Sequence, residues 1–285
     1  MAGVAVVSDS NAYLPKQLAE ANGITMLQQY VLYGDGRRVH EDEVDLDAFF
    51  EEMRSVEQLP KTSHPTTEDF AAAYEGLLKD AEAIVSVHSS GQISHTVDAA
   101  AEAAERVGAA DRIHVIDSLS AGGGLGVIAL AAARKAAAGE SPERVVAVAE
   151  EARSELKMWF AVDTLEFLRR SGRIGAASAW VGSTLRVKPI LTIDSGQMMP
   201  VERVRTAERA FERLVDYARQ RHASGADAWV VQHVRSPEIA DELTDRAREV
   251  FGTEPVFCSE IGAVVGAHTG PGLLGIGALP PRLLT

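Results

Sequence analysis

The sequence predicts an α/β protein of two domains, on three observations. In the first half, short apolar runs end in polar tips and lead into helical segments, three times over. Past about residue 155 the rhythm changes, and two apolar runs at 189–193 and 198–204 flank Asp194-Ser195-Gly196 closely enough to form a hairpin. The length, 285 residues with 46% hydrophobic and 24% charged, suits one large or two ordinary domains of a globular chain.

Taken in order, residues 4–7 are fully apolar and read as a buried strand ending at Ser8-Asp9-Ser10-Asn11, a polar tip of the kind that sits in a crevice. Residues 16–21 read as a short helix and 24–33, partly alternating, as one strand before the Gly34-Asp35-Gly36 turn. Residues 45–55 carry Leu46, Phe49, Phe50 and Met53 at helical spacing behind Asp45, a good N-cap. Lys61-Thr62-Ser63-His64-Pro65-Thr66 is a hydroxyl-rich loop that opens a helix at about Thr67, capped by Thr66 or Thr67. The run 83–87 is a strand, Ser89-Ser90-Gly91-Gln92-Ile93-Ser94-His95-Thr96 a second hydroxyl-rich turn, and 97–107 a helix. Residues 112–118 form the next strand, and Gly122 to Gly126 open a long helix to about 138. Gly139 and Ser141-Pro142 end it and start another. Repeated strand–helix crossovers make this half a mostly parallel, Rossmann-like α/β domain.

The second half reads as strand 157–162, helix 164–170, the hairpin, helix 206–222 and strand 228–233. A helix behind a Ser236 cap and Pro237 follows, then strand 255–261, a Gly-rich turn or short helix at 262–268, and a strand at 272–279. This is a C-terminal α/β domain with a mixed or antiparallel sheet. The boundary falls near 153–157, giving domains 1–155 and 156–285.

Charge and composition exclude several functions. A net charge of −13 argues against nucleic acid and against permanent attachment to anionic lipid heads. The single cysteine, Cys258, excludes an internal disulfide and fits a reducing compartment. With neither a signal-peptide pattern nor a bilayer-length apolar run, a cytoplasmic location is expected.

The motifs narrow the chemistry. With Gly122 and Gly124 as the first two glycines of a dinucleotide fingerprint, the third falls on Val127, and no Lys-Ser/Thr pair follows, so these glycines suit helix–strand packing instead. The eight histidines show no metal-ligand spacing, so no metal is expected. No G-x-S-x-G elbow accompanies Ser90 or Ser94. At Ser94, local physics favours helix capping over ligand binding, although a helix start in such a crevice also suits an anion. His268, set among Gly and small apolar residues before Gly270-Pro271-Gly272, reads either as a core histidine or as part of a site.

In combination these pieces resemble the DegV family of bacterial fatty-acid-binding proteins, which includes subunits serving a fatty-acid kinase. The resemblance runs through Asp9-Ser10, Thr62 to Thr66, Ser90 to Thr96, Asp117-Ser118, Gly172-Arg173-Ile174, Val204-Arg205-Thr206 and Ile261 to Gly272, in that order. Two positions depart from it: His95 stands where the family usually has Gly, and His64 where Gln is common. The resemblance implies a DegV-like fold and a long-chain fatty acid in a tunnel formed mostly by the second domain. Its carboxylate would be held at the domain interface by Thr62 and Ser94. His268, Arg205, Arg173, His95 and Ser63 are implied as head-group neighbours or as a docking surface for the kinase. The chain would act as a carrier for phospholipid metabolism, with transient membrane contact, no catalytic residue and no cofactor. The competing reading is a small-molecule hydrolase or phosphotransferase using Ser94 with a histidine.

Overall fold

The computed structural model describes residues 3–55, 59–180 and 187–285. From the N-terminus, β1 (Val4–Asp9) leads through α1 (Lys16–Ala21) to β2 (Ile24–Leu27). An excursion follows, comprising β3 (Tyr30–Leu32), β4 (Arg38–His40), α2 (Leu46–Ser55) and β5 (Lys61–Ser63). The chain then runs through α3 (Thr67–Leu77), β6 (Ala83–His88), α4 (Thr96–Val107), β7 (Ile113–Asp117), α5 (Gly123–Ala137) and α6 (Pro142–Glu155). The second half holds β8 (Lys157–Ala161), α7 (Glu166–Arg170), β9 (Lys188–Asp194), β10 (Gln197–Val204), α8 (Ala207–Ala223), β11 (Ala228–His233), α9 (Pro237–Phe251), β12 (Phe257–Glu260), α10 (Ala263–Thr269) and β13 (Leu274–Leu279).

The expected two-sheet α/β architecture is what the chain adopts. The first sheet is entirely parallel, in the order β2-β1-β6-β7. Its inner strand β6 is buried at all six positions, which is why its sequence is a continuous apolar run rather than an alternation. The second sheet runs β10-β9-β8-β13-β11-β12 and is antiparallel except between β11 and β12. A small antiparallel sheet, β4-β3-β5, comes from the excursion.

Helix α5 lies between the two large sheets. Residues 123–133 are buried all round, so the helix has no solvent face and its sequence is correspondingly free of charge until Arg134. Its glycines allow that fit. A Cβ on Gly126 would stand 2.9 Å from the Ala12 carbonyl oxygen and 3.0 Å from the Phe257 ring, and one on Gly123 3.0 Å from Val230. The packing role read from the sequence for Gly122 to Gly126 is the observed one. A single apolar cluster consequently joins Val6 and Val85 of the first sheet, Leu125 and Ile128 of α5, and Val230 and Leu279 of the second sheet.

A cut at residues 155/156 separates the two large sheets in sequence, yet the cores cross it. The excursion contributes Val31, Phe49 and Phe50 to a cluster whose other members include Phe160, Leu168 and Val264. Residues 30–55 thus pack against the second half.

Local expectations failed at identifiable places. Residues 24–33 form two strands in different sheets, because Gln29 between them turns inward to bond Asp9. Lys61–Ser63, read as loop, is strand β5. Thr66, not Thr67, caps α3, in a reciprocal box with Asp69. Ser236 makes no side-chain cap to α9; its hydroxyl donates to the Val234 carbonyl.

Candidate functional site

The tips of the parallel strands β1 and β6 converge, and a buried polar network starts there. Asp9 is fully buried; Oδ1 accepts from Gln29 Nε2 (2.8 Å) and from the Asn11 N–H (3.1 Å), and Oδ2 from His88 Nδ1 (2.9 Å). His88 Nε2 lies 2.6 Å from Ser86 Oγ, and Ser86 lies 2.8 Å from the Tyr74 hydroxyl. Asn11 Nδ2 donates to Ser89 Oγ at 3.1 Å. Each buried polar group thereby has a partner, as burial demands. The network orients Asn11, Gln29 and Ser89 towards a cavity of about 260 Å³.

That cavity is walled by Thr62 and Ser63 from β5, Ser94 and His95 before α4, Arg173 after α7, Met198 of β10, and Val264, Val265 and His268 of α10. Thr62 and Ser94, far apart in sequence, therefore face one space. Thr62 Oγ1 lies 2.8 Å from His268 Nε2. His268 Nδ1 is buried with no hydrogen-bond partner. Burial, and secondarily the positive charge of Arg173, push this imidazole down to about 4, so it is neutral near pH 7. Arg173 itself is held by the Ser171 carbonyl (2.7 Å) and by that of Ile93 (3.4 Å).

The expected Ser94 cap is not made. His95 occupies the N-cap of α4 without a side-chain cap bond. Ser94 Oγ sits 2.7 Å from Thr96 Oγ1, with only a long 3.4 Å contact to the Thr96 N–H. The Ser94 hydroxyl is thus left at the cavity wall. His95 stands at the rim, largely exposed, with Nδ1 3.0 Å from Asp98 in the first turn of α4. Ser63 and His64 bond backbone carbonyls locally, at His64 and Pro65 respectively. Arg205 does not join them. It is exposed just beyond the far end of β10, about 23 Å along the strand from Met198 at ~3.3 Å per residue, and it lines none of these cavities.

Two further spaces adjoin the cavity. A more open one of about 490 Å³ shares Thr62, Arg173 and His268 with it and adds Lys61 and Arg170, so its rim is cationic. In the other direction, Ala121, Met198, Val265 and Thr269 are shared with an apolar slot between the segment preceding α5, helix α10 and the second sheet, floored by Met158, Phe160, Ile193 and Leu273. The slot measures about 40 Å³, far smaller than the chamber beside it. The site is therefore a hydroxyl-lined chamber flanked by a cationic space on one side and an apolar slot on the other.

A hydrolase is poorly served by this geometry. Among the described residues, Ser86, His88 and Asp9 form a serine–histidine–acid relay, and all three have zero exposure, so no substrate carbonyl reaches Ser86. Ser94 pairs with Thr96, not with a histidine.

The DegV family model matches residues 3–281. The chain belongs to the DegV family. A DegV domain-containing protein of Streptomyces coelicolor is 41% identical over 275 residues, covering 96% of this chain and 97% of that one. Among solved structures, a DegV family protein from Thermus thermophilus, described for fatty acid binding, superposes with a TM-score of 0.88 at 32% identity over 98% of this chain and 99% of its own. DegV of Bacillus subtilis, a fatty acid binding protein, gives 0.85 at 33% identity over 98% and 100%.

Within this DegV chain, sequence reasoning missed Gln29, His88 and Glu41. His88 ends an apolar strand and Glu41 opens a run of acids, Glu41-Asp42-Glu43, that reads as solvated surface. Asn11 had a signal, because the polar tip after β1 was already placed in a crevice.

Proposed function

We propose that this protein binds one long-chain fatty acid, with the carboxylate in the hydroxyl-lined chamber and the tail directed into the apolar slot between the two halves. The observation that carries this reading is the convergence of Thr62, Ser94 and His268 on a cavity four of whose wall residues, Ala121, Met198, Val265 and Thr269, also line an apolar slot. Hydroxyl donors beside a guanidinium suit a carboxylate. A buried tail contributes about 0.8 kcal/mol per methylene, enough to draw an acid out of water. The slot must widen to admit a tail, and Met158 and Met198, unbranched and adaptable, are the side chains suited to move.

The finer reading is that the protein carries the acid, in a cytoplasmic setting with transient membrane contact, and presents its carboxylate to an ATP-using kinase. The cationic space lined by Lys61, Arg170 and Arg173 fits an acyl phosphate, whose charge exceeds that of the acid. No nucleotide motif accompanies it, so ATP would be the partner's.

Native mass spectrometry of the purified protein, followed by titration with palmitic and oleic acids, tests the core of this reading. A bound mass matching a long-chain acid, or saturable one-to-one uptake, is expected. Protein that is empty and takes up neither acid would end the carrier reading.

A further inference from the structure

Helix α10 carries Val264, Val265, His268 and Thr269 into the chamber, yet it has seven residues and no cap of its own. A helix that short is marginal in isolation, and its first N–H groups need partners from elsewhere. Its N-cap residue is Gly262, and a Cβ there would stand 2.8 Å from Glu41 Oε1 and 3.0 Å from the Tyr13 ring. A capping side chain from α10's own strand connection is therefore excluded by groups from the opposite wall.

Those groups do the capping. Glu41 is 7% exposed, and its Oε1 accepts from the Val264 N–H at 2.8 Å and from the Tyr13 hydroxyl at 2.7 Å. The Tyr13 oxygen in turn accepts from the Val265 N–H at 3.0 Å. Tyr13 reaches this place from a left-handed backbone conformation, φ 46°, which a bulky residue adopts only when its surroundings hold it. Glu41 also grips the other wall. Its Oε2 accepts from Ser10 Oγ (2.6 Å), Ser10 Oγ accepts from the Gln29 N–H (3.1 Å), and the Glu41 N–H donates to the Gln29 carbonyl (2.9 Å). Gln29 lines the chamber. One buried carboxylate thus joins the Asn11–Gln29 wall to the helix bearing His268, across 223 residues of sequence.

We propose that Glu41, with Tyr13, is a positioning residue of the head-group chamber: it fixes α10 so that His268 meets Thr62 and the ligand's head group. The proposal rests on the fatty-acid reading for the identity of that head group, though not for the geometry. Glu41 touches no ligand itself. Its effect is on the polar end of the ligand and not on the apolar slot, and this separates positioning from general support of the fold.

The test compares palmitic acid with hexadecanol, which has the same tail and no carboxylate, by competition against a fluorescent fatty acid. The proteins are wild type, Glu41→Ala, Glu41→Gln and Tyr13→Phe. Wild type should prefer the acid. Glu41→Ala should lose tenfold or more of that preference while its affinity for the alcohol stays within about threefold. Glu41→Gln, which retains an acceptor oxygen for the Val264 N–H, should recover most of it, and Tyr13→Phe should lose a smaller part. Acid and alcohol weakened equally, or an unchanged preference in folded Glu41→Ala, would overturn the proposal. A second readout needs no ligand: the His268 imidazole NMR signals should shift in Glu41→Ala and Tyr13→Phe and return in Glu41→Gln. Unmoved signals overturn it on their own. Wild-type protein that binds neither probe would overturn the fatty-acid reading instead, leaving these signals to decide the positioning claim. If Glu41→Ala does not fold, Tyr13→Phe, which removes one hydroxyl, carries both measurements.

Discussion

At His268, one imidazole serves both the site and the pH response of the fold. Its folded-state value of about 4 lies below the ordinary histidine value near 6.5. Between those two values the unfolded chain binds more protons than the folded one. The stability due to keeping His268 neutral is therefore complete above about pH 6.5 and is lost as pH falls towards 4. Replacing it with Asn should flatten that part of the acid limb in denaturant titrations at stepped pH; an unchanged limb would mean that other groups account for it. The hydroxyls opposite make a separate prediction. Thr62→Ala combined with Ser94→Ala should weaken fatty-acid binding tenfold or more, at a stability cost of about 1 kcal/mol from the lost Thr62–His268 bond, since Ser94 does not cap α4. Isothermal titration alongside thermal melts checks both halves, and unchanged affinity would remove the two residues from the head-group contact.

The same residues show what a sequence can carry. Thr62, Ser94 and His268 were legible because each lies in a short, ordered motif, and the chamber gathers all three. Arg205 was legible as a motif too, but the length of β10 takes it far from the chamber, and motif spacing along the chain contains no such distance. Glu41 was invisible: its neighbours are acids, and only the fold buries it.

Among elements, α5 has the least tolerance. It sits between two sheets, so added volume has nowhere to go. Gly124→Ala would drive a methyl group into Ser120 Oγ and towards Met158 Sδ, 2.7 Å away. Overpacking of this kind costs typically 1–3 kcal/mol, against about 1 kcal/mol gained in helix propensity. A net fall in the urea midpoint is expected for Gly124→Ala, whereas Gly139→Ala, at φ 77° with open space around it, should fall only through backbone strain. An unchanged or raised midpoint for Gly124→Ala would show that the three layers are looser than described. The element pattern itself was well forecast. Parallel strands announced themselves by continuous apolar runs, and the β9–β10 hairpin by its turn. Strand β5 escaped because three residues of Lys-Thr-Ser have no apolar pattern, and they pair with β3 through backbone bonds that any sequence can make.

For the whole molecule, shared cores predict shared unfolding. One cluster joins both large sheets through α5, and another joins the excursion to the second half. Trp159 and Trp229 report on the second sheet, while hydrogen exchange at 83–88 reports on the first. The two probes should give coincident urea transitions; two separated transitions would show that the halves are independent domains after all. A ligand binding only the folded state, present at a hundred times its Kd, should move both transitions together by about 2.7 kcal/mol.

The bond between Thr62 and His268 closes a loop of 206 residues. During synthesis, the first of these residues leaves the ribosome long before the second exists. A nascent chain can complete its parallel sheet and still have no head-group chamber. If the chamber holds a fatty acid as proposed, capture should begin only after translation has passed His268, and prematurely terminated products should be unable to sequester lipid.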